Sequence, residues 1–240
     1  MISIRLRDKE FSSFEEFGKV MYLYPEESFK LINSTKFLSL LKKENPKYFE
    51  KIMELRKTED FEGAFIFKVQ YIFCPLMELK YYKSKYSDIK ELGRRIINGA
   101  PKLDVYILDM IRYKLISYYL KLHKYDELEP TFYKNVIHIE DNFVYNENRT
   151  YFKLGFILAN TNEILFRRRW YKDINSFFKA VLEKTTIKEF SSEFEKSQYL
   201  MAWLELLGYD KEITKFQSIV STLEQWEEKS WELKKNMKDG

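Results

Sequence analysis

Apolar residues recur at the spacing of one helix face through most of the chain. A short alternation at Ile2, Ile4 and Leu6 predicts a brief β-strand before the first helix. Pro75 ends the helical run of the first third, because proline cannot continue a helix. The apolar positions of that run are Phe14, Phe17, Met21, Phe29, Ile32, Phe37, Leu40, Leu41, Phe49, Ile52, Met53, Leu55, Ile66, Val69 and Phe73.

Three segments begin with a residue whose side-chain oxygen can cap a helix, namely Ser13, Asp88 and Asp173. The first two place a glutamate three positions later, Glu16 and Glu91, which predicts the reciprocal capping box. We therefore expect a helix to begin at each of the three segments.

The first two segments also match beyond their caps. Gly18 and Gly93 are 75 positions apart, and Pro25 and Pro101 are 76 apart. Each proline precedes a predicted helix, and a second helix follows in both copies. The apolar positions of these second helices are Phe37, Leu38, Leu40 and Leu41 in one copy, and Leu115, Ile116, Tyr119 and Leu120 in the other. Such self-similarity is typical of stacked helical units, although capped amphipathic starts also recur by coincidence in helical proteins.

The middle of the chain has a different pattern. Aromatic and β-branched residues at Val136–Ile139, Phe143–Tyr145 and Tyr151–Leu154 flank the turn-forming segment Asn146–Asn148. This arrangement favours a β-hairpin. The alternative is an irregular loop that enters a helix capped by Thr150.

The last third returns to helical spacing. Ser192–Glu195 has the form of a capping box, and the apolar face that includes Leu200 and Trp203 ends at Gly208, where a left-handed cap is expected. Asp210 begins a final predicted helix that carries Trp226. Few glycines (7) and prolines (5) in 240 residues also favour helices over an all-β fold.

These patterns predict a mainly α fold of stacked helical hairpins, in two similar copies and a degenerate third, with a minor β-hairpin element. The predicted segments are a helical unit at residues 1–80, a similar unit at 81–130, a mixed or hairpin insertion at 131–171 and a C-terminal helical unit at 172–240. The polar, basic stretch from Tyr81 to Ser87 is the predicted joint between the first two units.

Side chains for catalysis are few. The two histidines, His123 and His138, lie outside metal-binding spacings, and the single Cys74 has no partner for a zinc site. The segment that contains His138, Glu140 and Asp141 is a weak metal candidate, and Asp60 with Glu78-Leu79-Lys80 has the residue order of a metal-dependent nuclease. Phosphate-binding loops, dinucleotide-binding turns and nucleophile elbows are absent. We expect no catalytic residue, no metal and no cofactor.

The sharpest charged feature is a basic–aromatic run in which guanidinium groups adjoin two rings. We call it the basic corner; it consists of Arg167, Arg168, Arg169, Trp170, Tyr171 and Lys172. Such a set can hold phosphates while a ring stacks on a base, or it can be a solvated rim with Trp170 in the core. Trp226 and Trp231, in a highly charged tail, are secondary candidates for partner contact.

The sequence therefore favours a non-enzymatic binding or regulatory protein that docks on a macromolecular partner. A protein partner is expected, and single-stranded nucleic acid bound at the basic corner is the alternative. A metal nuclease is a weaker third hypothesis. A single cysteine and no apolar run of membrane-spanning length favour a cytoplasmic location. Abundant Lys, Ile, Asn, Tyr and Phe are typical of AT-rich coding sequences, which fits a bacterial or phage accessory protein.

Overall fold

The computed structural model describes residues 2–143, 147–182 and 197–209. Within these ranges the chain is mainly helical, with small antiparallel β-hairpins, as predicted. The helices are α1 Phe14–Gly18, α2 Pro25–Ile32, α3 Thr35–Glu44, α4 Pro46–Thr58, α5 Glu62–Phe73, α6 Ile89–Gly99, α7 Val105–Arg112, α8 Leu115–Leu122, α9 Tyr125–Leu128, α10 Pro130–Asp141, α11 Glu147–Ala159, α12 Ile174–Leu182 and α13 Gln198–Leu206. The strands are β1 Ile4–Leu6, β2 Lys9–Phe11, β3 Leu79–Tyr81, β4 Ser84–Tyr86, β5 Ile164–Phe166 and β6 Arg169–Tyr171, and a 3-10 turn covers Met21–Leu23.

The three predicted helix starts are confirmed. Ser13 Oγ accepts a hydrogen bond from the backbone N–H of Glu16 at 3.1 Å, and the carboxylate of Asp88 accepts one from Glu91 at 2.7 Å. The capping glutamates reach back one residue further than the cap itself: Glu16 accepts from the N–H of Ser12 at 2.9 Å, and Glu91 from that of Ser87 at 2.5 Å. These bonds satisfy backbone donors that a helix start leaves open.

A two-stranded antiparallel hairpin precedes each of these helices: β1–β2 before α1, β3–β4 before α6, and β5–β6 before α12. The registers are equivalent, since Ile4 pairs with Phe11, Leu79 with Tyr86, and Ile164 with Tyr171. The chain therefore contains a recurring hairpin-plus-helix element. The stacking of whole helical hairpins into a repeat remains a prediction.

The sequence analysis placed the β-hairpin of residues 131–171 wrongly. Val136–Ile139 lies in α10, and Tyr151–Leu154 lies in α11, where Thr150 is inside the helix and is not its cap. Val136 and Ile139 are buried three residues apart on one helix face, so tertiary packing overrides their β-propensity. The hairpin of this segment is β5–β6.

The predicted joint between Tyr81 and Ser87 is also a hairpin in the structure. Tyr82 and Lys83 form its turn with positive φ values of 39° and 65°. The turn was missed because it lacks the glycine or asparagine that normally marks such a conformation.

The helix that follows each hairpin packs against a later, strongly apolar helix. In the first case Phe17 of α1 contacts Phe73 of α5, and in the third Phe177 of α12 lies 5.3 Å from Trp203 of α13, between ring centroids. In the second, Gly93 of α6 lies directly against the backbone of α11. In each case a residue of the helix that follows the hairpin thus packs closely on a later helix.

The chain divides into two compact units. Unit 1 comprises Met1–Leu92 and Asp104–Val144, and unit 2 comprises Gly93–Leu103 with the part of Tyr145–Gly240 that the structure describes. The core of unit 1 includes Phe17, Phe37 and Phe73, whereas that of unit 2 includes Phe156 and Trp203. The division into four segments at residues 80, 130 and 171 remains a prediction.

The described C-terminal region agrees with the sequence analysis. Leu200, Trp203 and Leu204 are buried in α13, and Gly208 follows with a φ of 80°, as expected for a left-handed cap. The capping box at Ser192–Glu195, the helix from Asp210, and Trp226 and Trp231 lie outside the described residues.

Within the described ranges, no helix is both long enough and apolar enough to cross a lipid bilayer.

Candidate functional site

The third hairpin carries the basic corner. Arg167 and Arg168 form its two-residue turn with φ values of 48° and 65°, and Arg169 begins β6. Because successive strand residues point to opposite faces, Arg169 and Tyr171 share one face and Trp170 lies on the other. The turn thus groups three guanidinium groups at the hairpin tip.

The side chains of the basic corner other than Tyr171 face solvent. Arg167, Arg168, Arg169 and Lys172 are exposed, and Trp170 is 49% exposed opposite its strand partner Leu165. Trp170 therefore lies outside the core. The sequence had left open whether its side chain would be in the core or available for contact. An exposed indole next to several cations is available for contact with another molecule.

The opposite face of the hairpin holds it on the core of unit 2. Ile164 and Phe166 are buried, and the Phe166 and Tyr171 rings each pack edge-on against Phe177 of α12, at 5.3 and 5.4 Å between centroids. The Tyr199 hydroxyl oxygen accepts a hydrogen bond from the N–H of Leu165 at 3.1 Å. The hairpin that carries the basic corner is thus packed against residues of α12 and α13.

Among the described residues, three cations of the basic corner, Arg168, Arg169 and Lys172, form no ion pair with a carboxylate. The neighbouring Asp173 caps α12, and its hydrogen bonds from Ser176 lower its pKa and so keep its carboxylate ionised. Four cations and this one carboxylate give residues 167–173 a formal charge of +3, although the whole chain has a net charge of only +4.

The weak metal candidates of the sequence analysis are not brought together. His138 is exposed on α10 and contacts Asn142, Glu140 is buried, and Asp141 pairs with Lys114 at 2.5 Å. In the part of the chain that the structure describes, no three His, Cys, Asp or Glu side chains lie close enough to hold a metal ion.

The metal-nuclease hypothesis requires two strands, and only one of them is found. Leu79 and Lys80 lie on β3, whereas Asp60 precedes α5, a helix. Glu78 pairs with Lys85 at 2.8 Å, and the Lys80 ammonium lies 5.0 Å from the centroid of the Tyr22 ring. His123 Nδ1 donates a hydrogen bond to the Tyr119 carbonyl oxygen, 2.9 Å away, and His123 ends α8.

Unit 1 contains a cavity of about 560 Å³ beside the first hairpin. Its wall mixes apolar residues with the cations Arg5 and Lys36, and Ser34, which caps α3, lies at its edge. The sequence analysis did not anticipate this cavity, because its wall combines residues from β1, β2, α2 and α3.

Unit 1 also presents an aromatic surface that the sequence analysis missed. It is made by Phe61, Tyr82, Tyr106 and Tyr113 together with Asp109. One signal was present in the sequence: Tyr106, Asp109 and Tyr113 are spaced so that they share one face of a helix.

Comparison with protein-family models, with curated proteins and with solved structures gives no match.

Proposed function

We propose that this protein is a non-enzymatic binding or regulatory protein that docks on a macromolecular partner through the basic corner. The observation that carries the proposal is the exposure of Trp170 together with Arg168 and Arg169 on a hairpin anchored to a packed core. Tryptophan and arginine are the residues most often found at the energetic centre of interfaces. A cytoplasmic location belongs to the same proposal, because the thiol of Cys74 is free.

The physical support lies in preorganisation. A tryptophan held on a short hairpin loses little conformational entropy on binding, and a fixed turn presents the guanidinium groups in a defined direction. A partner that offers carboxylates around an apolar pocket would complement both groups. A protein surface of that kind is the favoured partner.

The proposal is tested by comparing what the tagged full-length chain and two charge variants retain from an extract of cells that carry the gene. The first variant combines Arg167→Ala, Arg168→Ala and Arg169→Ala. The matched control combines Lys42→Ala, Lys43→Ala and Lys47→Ala, which removes the same charge from exposed positions in unit 1.

Quantitative mass spectrometry should find a protein that the wild type and the lysine variant retain and that the arginine variant loses. Equal recovery of every partner by the wild type and both variants would exclude the basic corner as the docking surface. Folding of each variant is checked by circular dichroism.

Single-stranded nucleic acid is a second candidate, favoured by the exposed indole beside cations. Guanidinium groups can contact phosphates while Trp170 stacks on a base. If the corner contacts about four phosphates, the logarithm of the binding constant should fall with the logarithm of salt concentration with a slope of about −2 to −3.

Fluorescence anisotropy of a labelled oligo-dT or oligo-U strand measures that slope. The arginine variant and Trp170→Ala should both weaken binding, whereas the lysine variant should not. Absence of salt-dependent binding at low ionic strength would exclude this candidate and leave the protein partner.

A further inference from the structure

Two parallel ring pairs lie next to each other on unit 1. The ring of Phe61 stacks on that of Tyr113, with centroids 4.1 Å apart and planes inclined by 11°. The ring of Tyr82 stacks on that of Tyr106, at 5.1 Å and 17°. Tyr106 and Tyr113 are 42% and 39% exposed, so the outer ring of each pair is open to solvent.

Gly63 brings the two inner rings together. A Cβ atom at Gly63 would lie 2.7 Å from Phe61 Cε1 and 2.9 Å from Tyr82 Cε2. Only a residue without a side chain allows both rings to approach the backbone this closely. The four rings thus form one continuous surface, with Phe61 and Tyr82 at its centre.

Carboxylates accompany this aromatic surface. Asp109 lies on α7 between Tyr106 and Tyr113, and its side chain is only 21% exposed. Its one ion-pair contact among the described residues is with Arg112, at 4.0 Å, which is the outer limit for such a pair. Burial raises the pKa of Asp109, and Arg112 lowers it by less.

A second carboxylate, that of Glu62, adjoins the same rings. Glu62 forms no hydrogen bond or ion pair with another described residue. Burial, and then the charge of Glu26, raise the pKa of Glu62, whereas the charge of Lys30 lowers it. Negative charge therefore remains incompletely compensated beside the aromatic surface.

A buried hydroxyl group completes the cluster. Tyr81 is 3% exposed, and its hydroxyl has no hydrogen-bond partner among the described residues. The oxygen lies 2.7 Å from the position that a Gly63 Cβ would take, beside Phe61 and Tyr82. Burial raises the pKa of Tyr81, and the next largest contribution is the negative charge of Asp109. The hydroxyl group is therefore enclosed beneath the rings and does not reach the surface.

We propose that the surface formed by Phe61, Tyr82, Tyr106, Tyr113 and Asp109 binds a lysine or arginine side chain of a partner polypeptide. Ring faces attract cations, and the attraction increases where water is excluded. The Asp109 carboxylate supplies the opposite charge and accepts a hydrogen bond from an ammonium or guanidinium N–H. An anionic side chain would be repelled by Asp109, and a neutral one would gain neither the charge pairing nor the attraction between a cation and the ring faces.

This inference goes beyond the proposed function of the basic corner. It concerns unit 1, and its partner group has the opposite charge. If the variant with Arg167, Arg168 and Arg169 changed to alanine lost no partner, the proposal for the aromatic surface would be unaffected. If the aromatic surface bound no cationic side chain, the proposal for the basic corner would likewise be unaffected.

The test is an NMR titration of the ¹⁵N-labelled full-length chain with the tripeptide acetyl-Gly-Arg-Gly-amide. The matched neutral probe has citrulline in place of arginine, which keeps the shape and removes the charge. We expect saturable shifts of the amide signals of Tyr82, Asp109 and Tyr113 with the arginine peptide and none with the citrulline peptide.

Variants then assign the binding groups. Asp109→Asn and Tyr106→Ala should each weaken binding of the arginine peptide by about five- to tenfold, whereas Glu127→Gln, at an exposed position on α9, should leave it unchanged. Because Asp109→Asn keeps side-chain size, its effect does not depend on a change of fold.

Equal shifts with the arginine and citrulline peptides, or arginine binding that Asp109→Asn does not weaken, would overturn the inference. Saturable shifts confined to other residues would overturn it as well.

Discussion

Glu140 is the residue whose environment departs furthest from what its side chain requires. It lies on α10 facing the start of α8 and is 3% exposed. One carboxylate oxygen accepts a hydrogen bond from the N–H of Ser117 at 3.3 Å, and the other has no partner among the described residues. Burial raises the pKa of Glu140 from 4.5 to about 7, although the bonds from Ser117 oppose the rise.

This shift makes stability depend on pH. Because the folded-state pKa lies above the unfolded value, the folded state binds the proton more tightly. The free energy of unfolding should therefore be highest below pH 4.5 and fall as the pH rises through about 7, by about 3 kcal/mol from this group alone.

Urea unfolding of the wild type and Glu140→Gln at pH 5 and pH 8 measures the effect. The difference in stability between the two proteins should shift in favour of the variant at pH 8. Asp141→Asn, a neighbouring exposed carboxylate, is the control. A difference that does not change between the two pH values would rule out ionisation of Glu140 in this range.

At the scale of elements, helix contacts depend on two glycines at equivalent positions. A Cβ at Gly18 would lie 2.9 Å from Cys74 Sγ and Phe73 Cβ, and one at Gly93 would overlap the backbone nitrogen of Ala159 and lie 2.7 Å from the carbonyl oxygen of Gly155. The third helix of this kind has Phe178 at the matching position. The glycine shared by the first two segments thus has a packing cause.

Gly93→Ala should destabilise unit 2 by about 3 kcal/mol or more, because the obstructing atoms belong to the backbone of α11 and cannot rotate away. Gly99→Ala, at the end of the same helix, meets nothing within 4 Å. It should be neutral or stabilise the protein by up to about 1 kcal/mol, since alanine favours the helix. Thermal unfolding of both variants gives the comparison, and equal midpoints would mean that α6 and α11 are not in close contact.

Caps and helix faces could be predicted from the sequence because their signals are local. Ser13 and Asp88 each accept a hydrogen bond from a backbone N–H three residues later, so a segment of four residues is enough to predict the helix start. The alternation at Ile2, Ile4 and Leu6 predicted only a strand. The three hairpin turns could not be predicted, because Arg7, Lys83 and Arg168 adopt positive φ without being glycine. At Val136 and Ile139 the local signal misleads. Their β-propensity is a property of the residues themselves, whereas their helical conformation in α10 depends on packing against distant parts of the chain.

At the scale of the whole molecule, the two units present surfaces of opposite character. Unit 2 carries the basic corner, and unit 1 carries rings beside Asp109 and Glu62. The basic corner could be predicted because its residues are consecutive. The aromatic surface could not, because Phe61, Tyr82 and Tyr106 come from three elements that only the fold brings together.

Two such surfaces on one chain fit a protein that acts through contacts with partners. We expect the contacts to be separable. Changes at the basic corner should leave the arginine-peptide shifts on unit 1 unchanged, and changes at Asp109 should leave partner recovery through the basic corner unchanged.

The most direct test of the central claim is photo-cross-linking of the full-length chain with a photoreactive phenylalanine analogue in place of Trp170, carried out in cells that carry the gene. The same analogue in place of Leu128, which is 74% exposed in unit 1, is the control. The account predicts a discrete adduct from position 170 that disappears when Arg167, Arg168 and Arg169 are changed to alanine. No adduct from position 170 beyond that from position 128 would contradict it.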